Sequence, residues 1–316
     1  MIENVYTASQ VHEQLNRMRV NGVKKGEYTG FDLLDEKYSV KRGSTTYIYA
    51  GAHQGKSQFA FEIMMNLAQY SGWKWAVYSP ETGSPAEVFA ELAWVYLRKP
   101  FLLNDVINCS DIEAQRAIDF LSEHFYIIDP GLRDMTIQGF YKAVEDIEAT
   151  GVKIDGCLLD PFTEIKTDVN NGVRDDIAIG NVLTAIRKTS ADRDYHTIVT
   201  VHTTHQQTKV KNGISYVDVP TMTNIAGGMQ WSRKGMMVLN VWRCPYGLED
   251  KDGIPYEANQ VLVTITKAKP KAVGSVGSLY MYYDKVKNRY YTKSPSGAKV
   301  YSQSDPKKQE PEEFDF

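Results

Sequence analysis

Little in this sequence of 316 residues would tie it to a disulfide scaffold, an export route or a membrane. Its three cysteines, Cys109, Cys157 and Cys244, are far apart, odd in number and without a C-x-x-C pair. That excludes a disulfide framework and a cysteine zinc site, and fits a reducing interior. No apolar run approaches the roughly 18 residues of a membrane-spanning helix. The N-terminus, MIENVYTASQVHEQLNRMRV, has acidic and polar residues where a secretory signal would carry a basic start and an apolar middle. Positive charge is not in excess either. The 36 Lys and Arg against 39 Asp and Glu leave a net charge of −3, so the chain as a whole is not a basic nucleic-acid binder. Internal repeats are absent.

What the sequence does contain is alternation. From Thr45, short β-rich runs are each followed by a longer helical pattern: TTYIYA by SQFAFEIMMNLAQYSG, KWAVYSP by AEVFAELAWVYLR, HFYIID by TIQGFYKAVEDIEATG, and GCLLD by DDIAIGNVLTAIRKTSADR, which leads into HTIVTVH. This predicts βαβ crossovers, and so an α/β fold with a mainly parallel sheet flanked by helices. Beyond Gly235 the helical pattern stops. MMVLNVWR, QVLVTITKAK, GSLYMYYD and RYYTK predict successive antiparallel strands that extend the sheet.

Upstream, Val11, Leu15 and Met18 predict one short amphipathic helix from about Ala8 to Val20, followed by a polar hinge from Asn21 to Gly26. A helix of this length is marginal alone, so it should dock on its own domain or on a neighbour. The last stretch, SQSDPKKQEPEEFDF, lacks periodicity and predicts disorder. The chain thus divides into a linker helix and hinge (1–26), one α/β domain (27–300) and an acidic tail (301–316).

The turn after the first strand carries the chemistry. YIYAGAHQGKSQFAF sets Ala50, Gly51, Ala52, His53, Gln54, Gly55, Lys56 and Ser57 between a β-rich run and a helix. Backbone N–H groups at such a junction point into one concavity, and the helix N-terminus adds positive potential, so a polyphosphate binds there. Lys56 would reach the β- and γ-phosphates, and the Ser57 hydroxyl would sit on Mg²⁺. Ala50 stands where the usual motif has its first glycine, but Gly51 retains the backbone freedom. The cofactors predicted are Mg²⁺ and ATP or another ribo- or deoxyribonucleoside triphosphate.

Hydrolysis of such a ligand needs a carboxylate for the Mg²⁺ shell and another to orient or deprotonate water. Asp160 follows the apolar run GCLL and should emerge at the carboxyl edge of a parallel sheet, beside the loop. A simple turn role before Pro161 is the alternative. Glu81, just past the strand in WAVYSPE, is assigned as general base, and His202, ending IVTVH, as a sensor of the γ-phosphate.

In order and spacing these segments resemble the DnaB-like hexameric replicative helicases, especially the helicase half of phage primase-helicases. The resemblance runs from YTGFDLLDEKY and KRGSTTYIYAGAHQGKS through YSPE, LLDPF and VTVH to PTMTNIAGGMQWSRKGMMVLNVWR and ITKAKPKAVGSVGSLYMYYD, roughly Thr29 to Asp284. It implies a RecA-like motor forming a six-membered ring, with nucleotide at subunit interfaces. Such a ring translocates along single-stranded DNA, 5′ to 3′, and unwinds duplex.

Carried onto this sequence, the resemblance gives Lys56 and Ser57 the phosphate and Mg²⁺, Asp160 the second Mg²⁺ carboxylate, Glu81 the base and His202 the sensor. Arg243 matches an arginine near the nucleotide. The family's K-x-R pair, which reaches the γ-phosphate of the adjacent subunit, reads here Lys267, Ala268, Lys269. Lysine is a flexible point charge without arginine's planar fork, so that contact should be looser, or Lys271 or Arg243 carries more of the role.

The segments matching the family's DNA loops are 166–173 and 206–217, the second with Lys209, Lys211, Asn212 and Gly213. Both read as flexible loops. Six copies in one channel would concentrate positive charge that the net −3 conceals, unless these lysines are merely solvated. The N-terminal helix would pack on the neighbouring subunit. The tail resembles acidic, aromatic-ended termini that dock on polymerase, with Phe314 and Phe316 as anchors and Glu310, Glu312, Glu313 and Asp315 as steering charge. If the first residue is the natural start, priming falls to a separate primase. The compact layout suggests a phage source, hence the bacterial host cytoplasm, with no membrane partner. The alternatives to a helicase are a RecA-like recombinase or annealing ATPase, and a non-hydrolysing DNA-binding scaffold.

Overall fold

In the computed structural model, which describes residues 5–302 apart from 24, 104–106, 168–173 and 205, the run STTYIYA forms strand β1 (Ser44–Ala50), buried along its whole length. Burial on both faces is what a central parallel strand requires. Its neighbours are β5 (His196–His202) and β8 (Met237–Arg243), both parallel to it. Beyond β5 lie β4 (Gly156–Leu159), β2 (Trp75–Tyr78) and β3 (Phe125–Ile127), again parallel. Beyond β8 come β9 (Gln260–Ala268), β10 (Gly277–Asp284), β11 (Arg289–Lys293) and β12 (Lys299–Tyr301), each antiparallel to the one before. All ten belong to one sheet, as the alternation predicts.

Helices cover both faces of the parallel half. On one side α3 (Lys56–Ser71), α4 (Pro85–Leu97) and α5 (Asp111–His124) pack against Ile48 and Ala50 of β1. On the other, α6 (Ile137–Glu148), α7 (Asp175–Arg193) and α8 (Gly228–Lys234) cover Tyr47 and Tyr49. The two-residue side-chain period of a strand thus feeds two separate cores. The start of α4 is written locally: Pro85 takes the first helical position, and Ser84 and Glu87 bond reciprocally across the first turn. The same box, Ser110 with Glu113, starts α5, a helix not identified from the sequence.

Three expectations need correction. Residues 206–217 contain a hairpin rather than a featureless loop: β6 (Lys209–Lys211) pairs with β7 (Ile214–Tyr216). Its turn residues Asn212 and Gly213 have φ of 53° and 75°, the left-handed pair a two-residue hairpin demands. The domain also extends past residue 300, since Tyr301 belongs to β12 and Ser302 is buried. Finally, the N-terminal segment forms a 3-10 turn (Ala8–Val11) running into α1 (His12–Asn21), with no buried residue. Leu15 and Met18 remain 46% and 49% exposed, so docking on its own domain does not occur. A four-residue helix, α2 (Asp32–Asp35), precedes the sheet. No described helix is long and apolar enough to cross a membrane.

One buried ion pair joins the antiparallel strands to α3. Arg289, with no exposed surface, donates from Nε to Glu62, from Nη1 to the Val95 carbonyl (3.1 Å), and from Nη2 to Asn66 Oδ1 (2.9 Å) and Ser302 Oγ (2.6 Å). Losing one partner of such a pair strands a buried charge. Arg289→Met is therefore expected to destabilise the fold by about 3–5 kcal/mol in urea unfolding. A loss below about 1 kcal/mol, the range of exposed pairs, would mean that water reaches Glu62.

Candidate nucleotide site

The loop from Ala50 to Ser57 leaves the carboxyl end of β1 and enters α3, whose N-cap is Gly55 at φ +93°. That φ is in the region glycine tolerates, and a Cβ there would lie 2.6 Å from the Tyr290 hydroxyl. His53 is also left-handed, at φ 57°. Gln54 reaches sideways, its Oε1 accepting the Arg243 backbone N–H at 2.6 Å. Arg243 thus stands beside the loop, as expected from the sequence, with its guanidinium 5.6 Å above the ring of Tyr283.

The neighbouring parallel strands deliver the remaining groups to the same edge. Ala50 and His202 are register partners in β1 and β5, so the histidine closes its strand level with the start of the loop. Asp160, the residue after β4, is fully buried, and its oxygens point toward α3 rather than capping the turn at Pro161. The Ser57 hydroxyl donates to its Oδ1 at 2.8 Å and the Ser79 hydroxyl to its Oδ2 at 2.7 Å, while Thr200 donates to Oδ1 from β5. Ser79 and Thr200 are not among the residues singled out from the sequence. A hydroxyl in an otherwise apolar strand, Thr200 within IVTVH, was the available signal.

Glu81 lies past β2. Its Oε2 accepts from Lys56 Nζ at 3.4 Å and sits 3.1 Å from His202 Nε2. Partial burial pushes this carboxyl up, but the His202 hydrogen bond and the Lys56 charge outweigh it and hold it below the usual carboxylate range. It is therefore ionised at neutral pH. Lys56 itself is buried, so its ammonium is aimed into the cradle rather than at solvent.

Ser57 and Asp160 offer hard oxygen donors at one point beside the cradle. Among the described residues no group of three or more His, Cys, Asp or Glu gathers into a metal cage. An ion held by one hydroxyl beside one carboxylate would complete its shell with phosphate oxygens and water, which is the habit of Mg²⁺. The residues present fit that ion.

Lys267 and Lys269 lie elsewhere. Because β9 runs antiparallel to β8, Lys267 pairs with Val238, whereas Arg243 at the loop edge pairs with Val261. The intervening strand measures roughly 17 Å, so these lysines stand at the edge opposite their own phosphate loop. The Lys267 ammonium donates to the Ser232 carbonyl. Burial, with the charge of Lys269, pushes its pKa down. Lys269 is only partly buried.

The hairpin bearing Lys209, Lys211, Asn212 and Gly213 is exposed at its tip, and Lys209 is paired with Asp218. In the other DNA-loop segment, Lys166 bonds Asp134 at 2.6 Å, and 168–173 lie outside the described residues. So does the tail with Phe314, Phe316, Glu310, Glu312, Glu313 and Asp315.

Sheet order, loop and converging strand ends define a RecA-like P-loop nucleotide-binding domain. Within that class the chain is similar to DnaB-like replicative helicases. It matches the solved ATPase domain of one such helicase with a TM-score of 0.71 at 15% identity, covering 91% of this chain and 99% of that one. A DnaB-like replicative helicase, solved to show its interactions with primase, matches at 0.69 and 16%, covering 91% and 67%. The RadB recombinase matches at 0.50 and 13%, covering 81% and 96%. In sequence, the chain is 23% identical over 279 residues to the chloroplastic/mitochondrial Twinkle homologue of Arabidopsis thaliana, covering 86% of this chain. The chain spans 37% of that relative's length. No family model matches it.

Proposed function

We propose that this protein is a replicative DNA helicase, whose hydrolysis of nucleoside triphosphate at the interfaces of a homo-hexameric ring drives translocation on single-stranded DNA and duplex unwinding. The observation that carries the reading is the contact of Lys56 and His202 with Glu81, and of Ser57 with Asp160, beside one phosphate loop. Glu81 holds Lys56 and His202 where a γ-phosphate would sit. When the triphosphate enters, Lys56 turns to its oxygens, and the freed carboxylate orients and deprotonates the attacking water. His202 stays between Glu81 and the phosphate, placed to respond to its loss. Mg²⁺, held at Ser57 and Asp160, supplies neutralisation of the charge on the β- and γ-oxygens.

Three further observations favour a ring. The unburied stripe on α1 suits a groove on a neighbour. Lys267 and Lys269 are out of reach of their own loop and stand where a neighbour's γ-phosphate could meet them. The match to helicase ATPase domains, at 0.71 and 0.69, exceeds that to the recombinase at 0.50, which argues against an open filament. Movement 5′ to 3′, a separate primase and docking of the acidic tail on a polymerase belong to the same reading. Deleting 303–316 without loss of polymerase binding would remove the last of these.

The decisive test is phosphate release with and without single-stranded DNA, alongside unwinding of a forked duplex. Release that DNA stimulates, with unwinding, is the expected outcome. Nucleotide-dependent assembly without release would indicate a non-hydrolysing scaffold, and strand exchange without unwinding a recombinase. The channel assignment has its own prediction. Lys211→Ala should weaken single-strand binding and lower the salt slope by about 0.7 for each DNA phosphate that is no longer neutralised. Lys209→Ala should do less, because Asp218 already neutralises that ammonium. Equal effects, or none, would count against the hairpin as a backbone contact.

A further inference from the structure

The antiparallel end of the sheet does more than widen it. Strand β11 presents two consecutive residues to α3. Arg289 is paired with Glu62, nearly two turns into the helix, while Tyr290 reaches its first turn and donates from its hydroxyl to the Gly55 carbonyl at 3.1 Å. The same carbonyl accepts the Phe59 N–H at 2.9 Å, the ordinary bond of the helix. Tyr290 is 1% exposed, its ring edge-on to Phe59 at 5.4 Å and 5.2 Å from Tyr283. Burial pushes its phenol up, so the hydroxyl keeps its proton and remains a donor.

A peptide group is planar, so fixing the Gly55 carbonyl also fixes the direction of the Lys56 N–H at the other end of that peptide. At a helix N-terminus this N–H has no partner within the helix, and it belongs to the set that an anion meets. Gly55, at φ +93°, is also a residue with much backbone freedom to lose. Two donors on one carbonyl remove that freedom before a ligand arrives.

We propose that Tyr290 is a positioning residue for the phosphate cradle, its hydroxyl holding the Gly55–Lys56 peptide in the orientation that receives the β- and γ-phosphates. The antiparallel strands therefore set the affinity of a loop from which they are far removed in sequence. This rests on the assignment of the loop as a triphosphate site.

The test is Tyr290→Phe, which keeps the ring contacts and removes only the hydroxyl. Inorganic tripolyphosphate with Mg²⁺ is the probe, because it reads the cradle without a base or sugar; KM and kcat for Mg-ATP hydrolysis are followed in parallel. Removing one neutral hydrogen bond of this kind is expected to raise the dissociation constant and KM about three- to tenfold. The expected change in kcat is less than about twofold, since the hydroxyl acts on ground state and transition state alike. Thr292→Val, which removes a hydroxyl bonded to the Val300 carbonyl from the same strand, serves as control and should leave both binding and KM unchanged.

Unaltered affinity in Tyr290→Phe overturns the inference. So does a weakening that Thr292→Val reproduces, or one matched by an equal loss of thermal stability without ligand, since either makes the effect one of strand stability. Failure of the unmodified protein to bind tripolyphosphate or to hydrolyse ATP is a different result. It removes the triphosphate reading itself.

Discussion

Replacing Glu81 with glutamine is expected to lower kcat about 10²- to 10⁴-fold, the usual contribution of a positioned general base, while nucleotide still binds. Glutamine keeps the shape of the side chain and can still accept a hydrogen bond from His202, so the cradle stays assembled. What it loses is the negative charge and the capacity to take a proton. The carboxylate is already ionised, held below its usual range against the effect of its own burial by His202 and Lys56. Lys56→Ala provides the contrast. It removes the buried ammonium aimed into the cradle, and should raise KM as well as lower kcat. Measuring both parameters separates the two roles. If Glu81→Gln retained normal DNA-stimulated turnover, water would be activated elsewhere, and the assignment of the base would fall.

The second large effect is expected at Lys269. Substitution by alanine should lower turnover by about 10²- to 10³-fold, at or below the range for an arginine acting across an interface, because an ammonium donates less selectively than a guanidinium. The defect should belong to the neighbour's site. Lys269→Ala supplies an intact loop and Lys56→Ala an intact lysine finger, so mixing the two inactive proteins should restore activity. With random assembly of a ring, about a quarter of interfaces would combine both intact halves. Recovery approaching that fraction of normal turnover is the expected outcome. A mixture as inactive as its components would place the role of Lys269 within its own subunit, or nowhere in catalysis. Lys269→Arg should raise turnover, and unchanged turnover would show that lysine already suffices. Lys267 is the lesser candidate of the pair, since its ammonium is engaged by the Ser232 carbonyl.

Sequence and structure contribute unequally to these expectations. The phosphate loop was legible because every part of it is local: a β-rich run, a glycine turn, Lys56, Ser57 and a helix within fifteen residues. Asp160, Glu81 and His202 were legible for a different reason. Parallel strands joined by helices all end at one edge, so a polar residue just past an apolar run has its position decided by the alternation. The hairpin at Lys209 was not legible, since runs of three residues give too few periods to tell from a loop. Nor was α5, whose fully buried apolar side chains are few. The helix at the N-terminus was found, but its stripe showed only that a partner is needed.

By itself the sequence determined that this chain is an α/β nucleotide-binding domain and named the residues that hold a triphosphate, because strand, turn and helix signals act over short stretches of chain. Only the tertiary structure decided what those residues rest on. Ser79 and Thr200 meet Asp160 from two other strands, Tyr290 meets Gly55 across 235 residues, and Lys267 stands at the far edge because β9 turns back against β8. Contacts between segments so distant follow from the order and direction of strands in the sheet, and no local pattern of side chains encodes them.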